Sequence, residues 1–137
     1  RQAEVEIIPM ADDQGIQVVP YSPLGGGLLT GKYASGGTGR ITEDTRYAER
    51  YSQQWMHDAA RNLAKFAAAE GVSPATLAVA WVAAHESRPA PIISARSVEQ
   101  LMPSLVAVDF KMTATLYDKL TALTPTPPPA TDRLEEA

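Results

Sequence analysis

The chain has 137 residues, 45% of them hydrophobic and 20% charged, enough for one core and too few for two domains of ordinary size. A net charge of −4 argues against the Lys/Arg clusters that bind nucleic acid through phosphates. The absence of cysteine excludes disulfides, thiolate metal sites and a cysteine nucleophile.

No apolar run reaches the ~20 residues of a membrane span. Arg1-Gln2-Ala3-Glu4 lacks the basic start and apolar middle of a signal peptide. A soluble, cytoplasmic protein with neither a nucleic-acid nor a membrane partner is the expectation. The first residue is not Met, which fits a fragment or a processed chain.

Residues 5–14 predict a short helix around Pro9 with Ile7, Ile8 and Ala11 inward, closed by Gly15 in the left-handed conformation. Residues 16–21 then read as a buried strand. From 22 to 50 there is no periodicity, and Gly25-Gly26-Gly27 and Gly36-Gly37-Thr38-Gly39 break up regular elements, so a long functional or mobile loop is expected.

Trp55, Ala59, Leu63, Phe66 and Ala67 share one face of a helix over 52–70 that Gly71 stops. Ser73 and Pro74 open the next helix as cap and first residue, with Leu77, Ala80, Trp81 and Ala84 as its buried stripe. Residues 90–95 read as a second short strand, and Ser97-Val98-Glu99-Gln100 as a capping box that starts another helix. Thr113 caps a last helix carrying Leu116, Leu120 and Leu123, which Pro125 ends before a Pro-rich, poorly ordered tail over 125–137. Helix, glycine, strand and helix in alternation indicate an α/β chain with parallel strands.

The glycine loop allows close approach of a ligand, and Lys32 adds positive charge. Composition alone is equally compatible with a flexible connection. Gly26 to Lys32 fits G-x-x-x-x-G-K, but Tyr33 stands where a P-loop needs Ser or Thr. The dinucleotide fingerprint G-x-G-x-x-G fails too, because its third glycine position, counted from Gly25, is Thr30. A second phosphate-compatible feature follows the next strand, where Ser94-Ala95-Arg96 leads into a helix start. Paired loops after consecutive strands match the phosphate site after strands seven and eight of (β/α)8 barrels.

At this point the residues resemble the aldo-keto reductases. The resemblance lies in Gly15-Ile16-Gln17-Val18-Val19-Pro20-Tyr21-Ser22-Pro23-Leu24 with Gly27-Leu28-Leu29-Thr30-Gly31-Lys32-Tyr33. It continues in Val72-Ser73-Pro74-Ala75 with Leu77-Ala78-Val79-Ala80-Trp81-Val82, and in Pro91-Ile92-Ile93-Ser94-Ala95-Arg96-Ser97-Val98-Glu99-Gln100-Leu101. It extends from Arg1 to about Leu123. It implies an α/β fold, the C-terminal portion of a (β/α)8 TIM barrel around strands 7 and 8. Residues 1–124 would be that segment, and the missing N-terminal half of the barrel its partner.

The resemblance further implies NADP(H) as cofactor. Tyr21 would stack on the nicotinamide, while Ser22, Leu24, Gly27 and Lys32 line the pyrophosphate, with Pro23, Gly25 and Leu28 shaping the same loop. Arg96 would meet the 2′-phosphate, assisted by Ser94, Ala95 and Gln100, and Ser104 completes the expected cofactor-binding set. Where the family often has Glu and Asn against the adenine, this chain has Pro103 and Ser104, and Pro103 predicts a short or kinked helix.

The family's tyrosine, lysine, aspartate and histidine belong to strands upstream of Arg1. No catalytic residue is therefore assigned here, and the chain alone is expected to be inactive. His57, His85, Tyr33 and Tyr47 read as structural or solvated. The implied activity of the complete protein is reduction of a small aldehyde or ketone by hydride transfer. The alternative is a non-catalytic or regulatory nucleotide-binding barrel, as in channel-associated relatives.

Overall fold

The computed structural model describes residues 1–128; positions 129–137 of the expected tail lie outside them. After a 3-10 turn at Gln2–Glu4 come α1 (Ile7–Asp13), α2 (Arg40–Glu43), α3 (Thr45–Arg50), α4 (Gln54–Ala69), α5 (Pro74–Ala83), α6 (Val98–Leu105) and α7 (Ala114–Thr121).

Helix α1 ends as its sequence requires. Gly15 takes φ +63°, its amide donates to the Asp12 carbonyl at 3.2 Å, and the Ile16 amide donates to the Ala11 carbonyl at 2.7 Å. Gly71 repeats the closure on α4 at φ +68°, with Val72 N–H to Ala67 C=O at 2.9 Å. Both are six-to-one closures that satisfy the last carbonyls of a helix. The starts of α5 and α7 are capped by side chains, Ser73 accepting from the Ala75 amide and Thr113 from the Leu116 amide, both at 3.2 Å.

The core lies where α4, α5 and α7 meet. Leu63 and Ala67, Leu77 and Ala78, and Leu116 and Leu120 form one buried cluster, and Val79, Ala80 and Ala107 form a second. Helix α5 has no polar face over its first turns: Ala75, Thr76, Leu77, Ala78, Val79 and Ala80 are all buried. Of the predicted stripe, Leu77 and Ala80 are buried, Trp81 is half-buried and Ala84 is exposed at the helix end, while the burial of Ala75, Thr76, Ala78 and Val79 shows the first turns covered all round. On α4, by contrast, Trp55 is exposed. Trp81 stacks on Tyr117 at 5.8 Å and its indole N–H donates to the Thr121 hydroxyl at 2.9 Å. Arg1, ion-paired with Glu4 at 3.0 Å, donates to the carbonyls of Thr121 (3.2 Å) and Thr124 (3.3 Å) near the end of α7.

Two expectations need correction. Residues 22–50 are not one irregular loop: they hold 3-10 turns at Gly25–Thr30 and Lys32–Ser35 and then α2 and α3. Glycines with positive φ separate these pieces, and Asp44 caps α3 by accepting from the Arg46 amide at 2.9 Å.

The second concerns the strands. Among the described residues the two predicted strands are reduced to one parallel bridge, Tyr21 to Ile92. The Ala90 amide donates to Val18 C=O at 2.9 Å and the Ile92 amide to Pro20 C=O at 2.8 Å. In a parallel ladder the reciprocal donor to the Ala90 carbonyl comes from position 20, and Pro20 has no N–H. The first segment is also not buried, since Ile16 and Val19 are 55% and 50% exposed. Among the described residues a portion of barrel sheet is therefore not formed.

Helix α6 is short, as Pro103 predicts, and passes into a 3-10 turn at Val106–Val108. Ser97 accepts from the Gln100 amide, whereas the Gln100 side chain accepts from the Arg96 amide, one residue ahead of the cap; both bonds are 3.3 Å. Thr76, on α5, donates to the Pro103 carbonyl at 2.6 Å and ties the two helices together.

Candidate functional site

The single bridge places the two sequence-predicted segments side by side. Tyr21 precedes the glycine loop and Ile92 precedes Ser94-Ala95-Arg96, so both loops leave the same end of the paired backbones. Tyr21 is 77% exposed, and Ser22 follows it with φ +57°, unusual for a residue with a side chain.

Beyond Ser22 the chain turns tightly. Gly25, Gly26 and Gly27 take φ values of 54°, 64° and 96°, the left-handed region in which glycine alone is unstrained. The Gly25 amide donates to Ser22 C=O at 2.9 Å and the Gly27 amide to Leu24 C=O at 3.0 Å, so these two amides are used within the loop. Leu24 packs against both core clusters, and Leu28 is buried. Pro23 is half-buried beside them. The loop is therefore anchored through its leucines, with Lys32 exposed at its end and its ammonium 4.8 Å from the Tyr33 ring centre.

Ser94, Ala95, Arg96 and Gln100 are all exposed. No carboxylate of the described residues is ion-paired with Arg96 or Lys32. Ser104 is placed differently from this group: it is 3% exposed, facing the interior.

Tyr47 on α3 and Tyr51 just past its end form part of the loop's support that sequence reasoning missed. A Cβ added at Gly26 would lie 2.8 Å from Tyr47 Cδ1 and 3.1 Å from Tyr51 Cε2. Their i, i+4 spacing was the available signal. Burial pushes the Tyr51 phenol above its ordinary pKa, opposed by the neighbouring Arg50. The His57 ring nitrogen Nε2 lies 2.8 Å from Tyr51 C=O and so carries a proton there, and His85 Nδ1 accepts from the Ser87 amide at 3.2 Å. Among the described residues no group of three or more His, Cys, Asp or Glu could hold a metal ion. An open cleft of ≈ 510 Å³ between the end of α5 and the start of α7 shares no residue with either loop.

The sequence profile of the Aldo/keto reductase family matches residues 1–125. The chain belongs to the aldo/keto reductase family. Its relatives include the uncharacterised oxidoreductase YrpG of Bacillus subtilis (strain 168), 38% identical over 130 residues, covering 93% of this chain and 38% of that protein. A probable voltage-gated potassium channel subunit beta of Oryza sativa subsp. japonica is 32% identical over 141 residues, covering 96% of this chain and 42% of that one. The aldo-keto reductase yakc [NADP(+)] of Schizosaccharomyces pombe is 28% identical over 112 residues, covering 80% and 33%. The chain thus spans about two fifths of the length of the curated relatives it matches most closely among these.

Aldo/keto reductase membership implies a (β/α)8 barrel, in which loops after late strands frequently share a phosphate site. No single helix among the described residues is long and apolar enough to cross a membrane.

Proposed function

We propose that this chain supplies the NADP(H)-holding part of an aldo/keto reductase that reduces small aldehydes or ketones. The observation that carries the reading is the Tyr21–Ile92 bridge, from which the loop ending in Lys32 and the segment carrying Arg96 both start on adjacent backbones. The printed NADP(+) of the Schizosaccharomyces pombe relative supports the choice of cofactor.

The residues present fit an anionic dinucleotide. Among the described residues Lys32 and Arg96 are paired with no carboxylate, and Ser22 and Ser94 offer exposed hydroxyls. The exposed Tyr21 ring would back the nicotinamide, which when bound supplies the hydride. Ser22, Leu24, Gly27 and Lys32 would border the pyrophosphate, with Pro23, Gly25 and Leu28 fixing the loop that carries them. Arg96, with Ser94, Ala95 and Gln100, would hold the 2′-phosphate, because a planar fork of donors suits phosphate oxygens. Ser104 is left out of this set because it is buried, and Pro103 offers the adenine no side-chain hydrogen bond.

Ile16, Val19 and Ile92 expose apolar surface that further β/α units of a barrel would cover. The general acid for a carbonyl substrate would come from those units. A regulatory reading is favoured by the relatives named as potassium channel β subunits. NADPH and NADH titrations of the encoded polypeptide and its Arg96→Ala variant test the cofactor reading; equal losses for both nucleotides would refute the role of Arg96. Carbonyl-dependent NADPH oxidation separates enzyme from regulator.

A further inference from the structure

Met112 stands between the core and the solvent. It lies just ahead of Thr113, the cap of α7, and packs half-buried against both core clusters. The second of these, Val79, Ala80 and Ala107, also carries Leu24 from the glycine loop and Ile93 from the segment before Ser94. One thioether thus shares its support with both loops.

Met112 also lines the open cleft of ≈ 510 Å³ between α5 and α7. That volume is far above the roughly 15 Å³ that one water needs, so a molecule as small as hydrogen peroxide enters the cleft of the folded chain. With no cysteine in the sequence, the methionines are its oxidisable sulfurs. The other three are placed differently. Met10 and Met102 are 50% and 48% exposed, and Met56, half-buried on α4, packs on neither cluster.

A thioether is apolar and adaptable, which suits a position between two clusters. In its two-electron oxidation by a peroxide the O–O bond breaks, an S–O bond forms, and the remaining oxygen leaves as water. The product is a polar sulfoxide, costly to bury against the Leu, Val and Ala side chains of the clusters. Turned into the cleft instead, it gives up the contacts that the thioether made.

We propose that Met112 is a modification site, reached by peroxide through the cleft, whose sulfoxide loosens the packing that both loops share. The inference is independent of what those loops hold.

The test treats the folded encoded polypeptide with hydrogen peroxide and follows each sulfoxide by peptide mass spectrometry alongside the melting temperature. Met10 and Met102 are expected to oxidise first without lowering it. Oxidation of Met112 should then lower it by about 5 °C and quicken amide hydrogen exchange around Leu24 and Ile93. Methionine sulfoxide reductases acting on both epimers should restore the starting values. Met112→Leu, close in volume, should abolish the loss, whereas the triple variant Met10→Leu, Met56→Leu, Met102→Leu should retain it. If Met112→Leu fails to fold, the triple variant decides. The proposal is overturned by a Met112 that resists peroxide until the chain unfolds. A sulfoxide there that leaves either melting or exchange unchanged overturns it too, as does a loss that persists in Met112→Leu.

Discussion

The Thr76 hydroxyl, 1% exposed on α5, donates a 2.6 Å hydrogen bond to the carbonyl of Pro103 in α6. It joins the core to the helix that follows Arg96. Thr76→Val keeps the shape and removes the donor, leaving that carbonyl without this partner. A loss of about 1–2 kcal/mol is expected in urea denaturation followed by tryptophan fluorescence, with Thr76→Ser closer to the parent.

Gly71 and Gly26 share nearly the same left-handed φ, 68° and 64°, but differ in their surroundings. A Cβ at Gly71 meets nothing within 4 Å, so Gly71→Ala should cost only the backbone strain, about 1 kcal/mol. At Gly26 the added atom collides with Tyr47 as well. Gly26→Ala should therefore lower the denaturation midpoint further than Gly71→Ala; the reverse order would contradict the packing described.

Under the proposed function, Arg96 is the residue that would discriminate between the nucleotides. Its replacement by Ala should weaken NADPH at least about tenfold, the loss of a charge-assisted hydrogen bond, and leave NADH within about twofold. Isothermal titration of both nucleotides checks this.

Stability should fall at alkaline pH through the tyrosines. Burial raises the Tyr117 phenol above its ordinary value, helped by Glu4 and Glu86, and burial likewise raises Tyr51. A raised pKa means that the folded state holds its proton longer than the unfolded chain. The contribution is thus complete below the unfolded pKa and disappears as pH rises through the folded one. Tyr117→Phe should shallow the decline in melting temperature above pH ~10. Asp44 behaves oppositely: hydrogen bonding to Arg46 lowers its pKa, so its small contribution disappears in acid.

Local chemistry made the helices legible. Gly15, Gly71, Ser73 and Thr113 act where their residue types predict, because caps and left-handed closures depend on neighbours in sequence. The adjacency of the two loops was foreseen through the strand alternation, although only one bridge forms. Helices α2 and α3 escaped notice because they are short and because Tyr47 and Tyr51 pack against Gly26, which is distant in sequence. The burial of Ser104 was likewise invisible, since it depends on how α6 lies against α5.

The prolines at the bridge have a consequence outside binding. Ala90 and Ile92 direct their amides toward the first segment, so positions 89 and 91 face the opposite edge, and both are proline. That edge lacks two donors that a stray extended chain would need to dock there. Crowded copies of this polypeptide, each showing the bare Ile92 side chain, are thereby poor templates for one another, and intermolecular sheet growth is blunted where apolar backbone is most open.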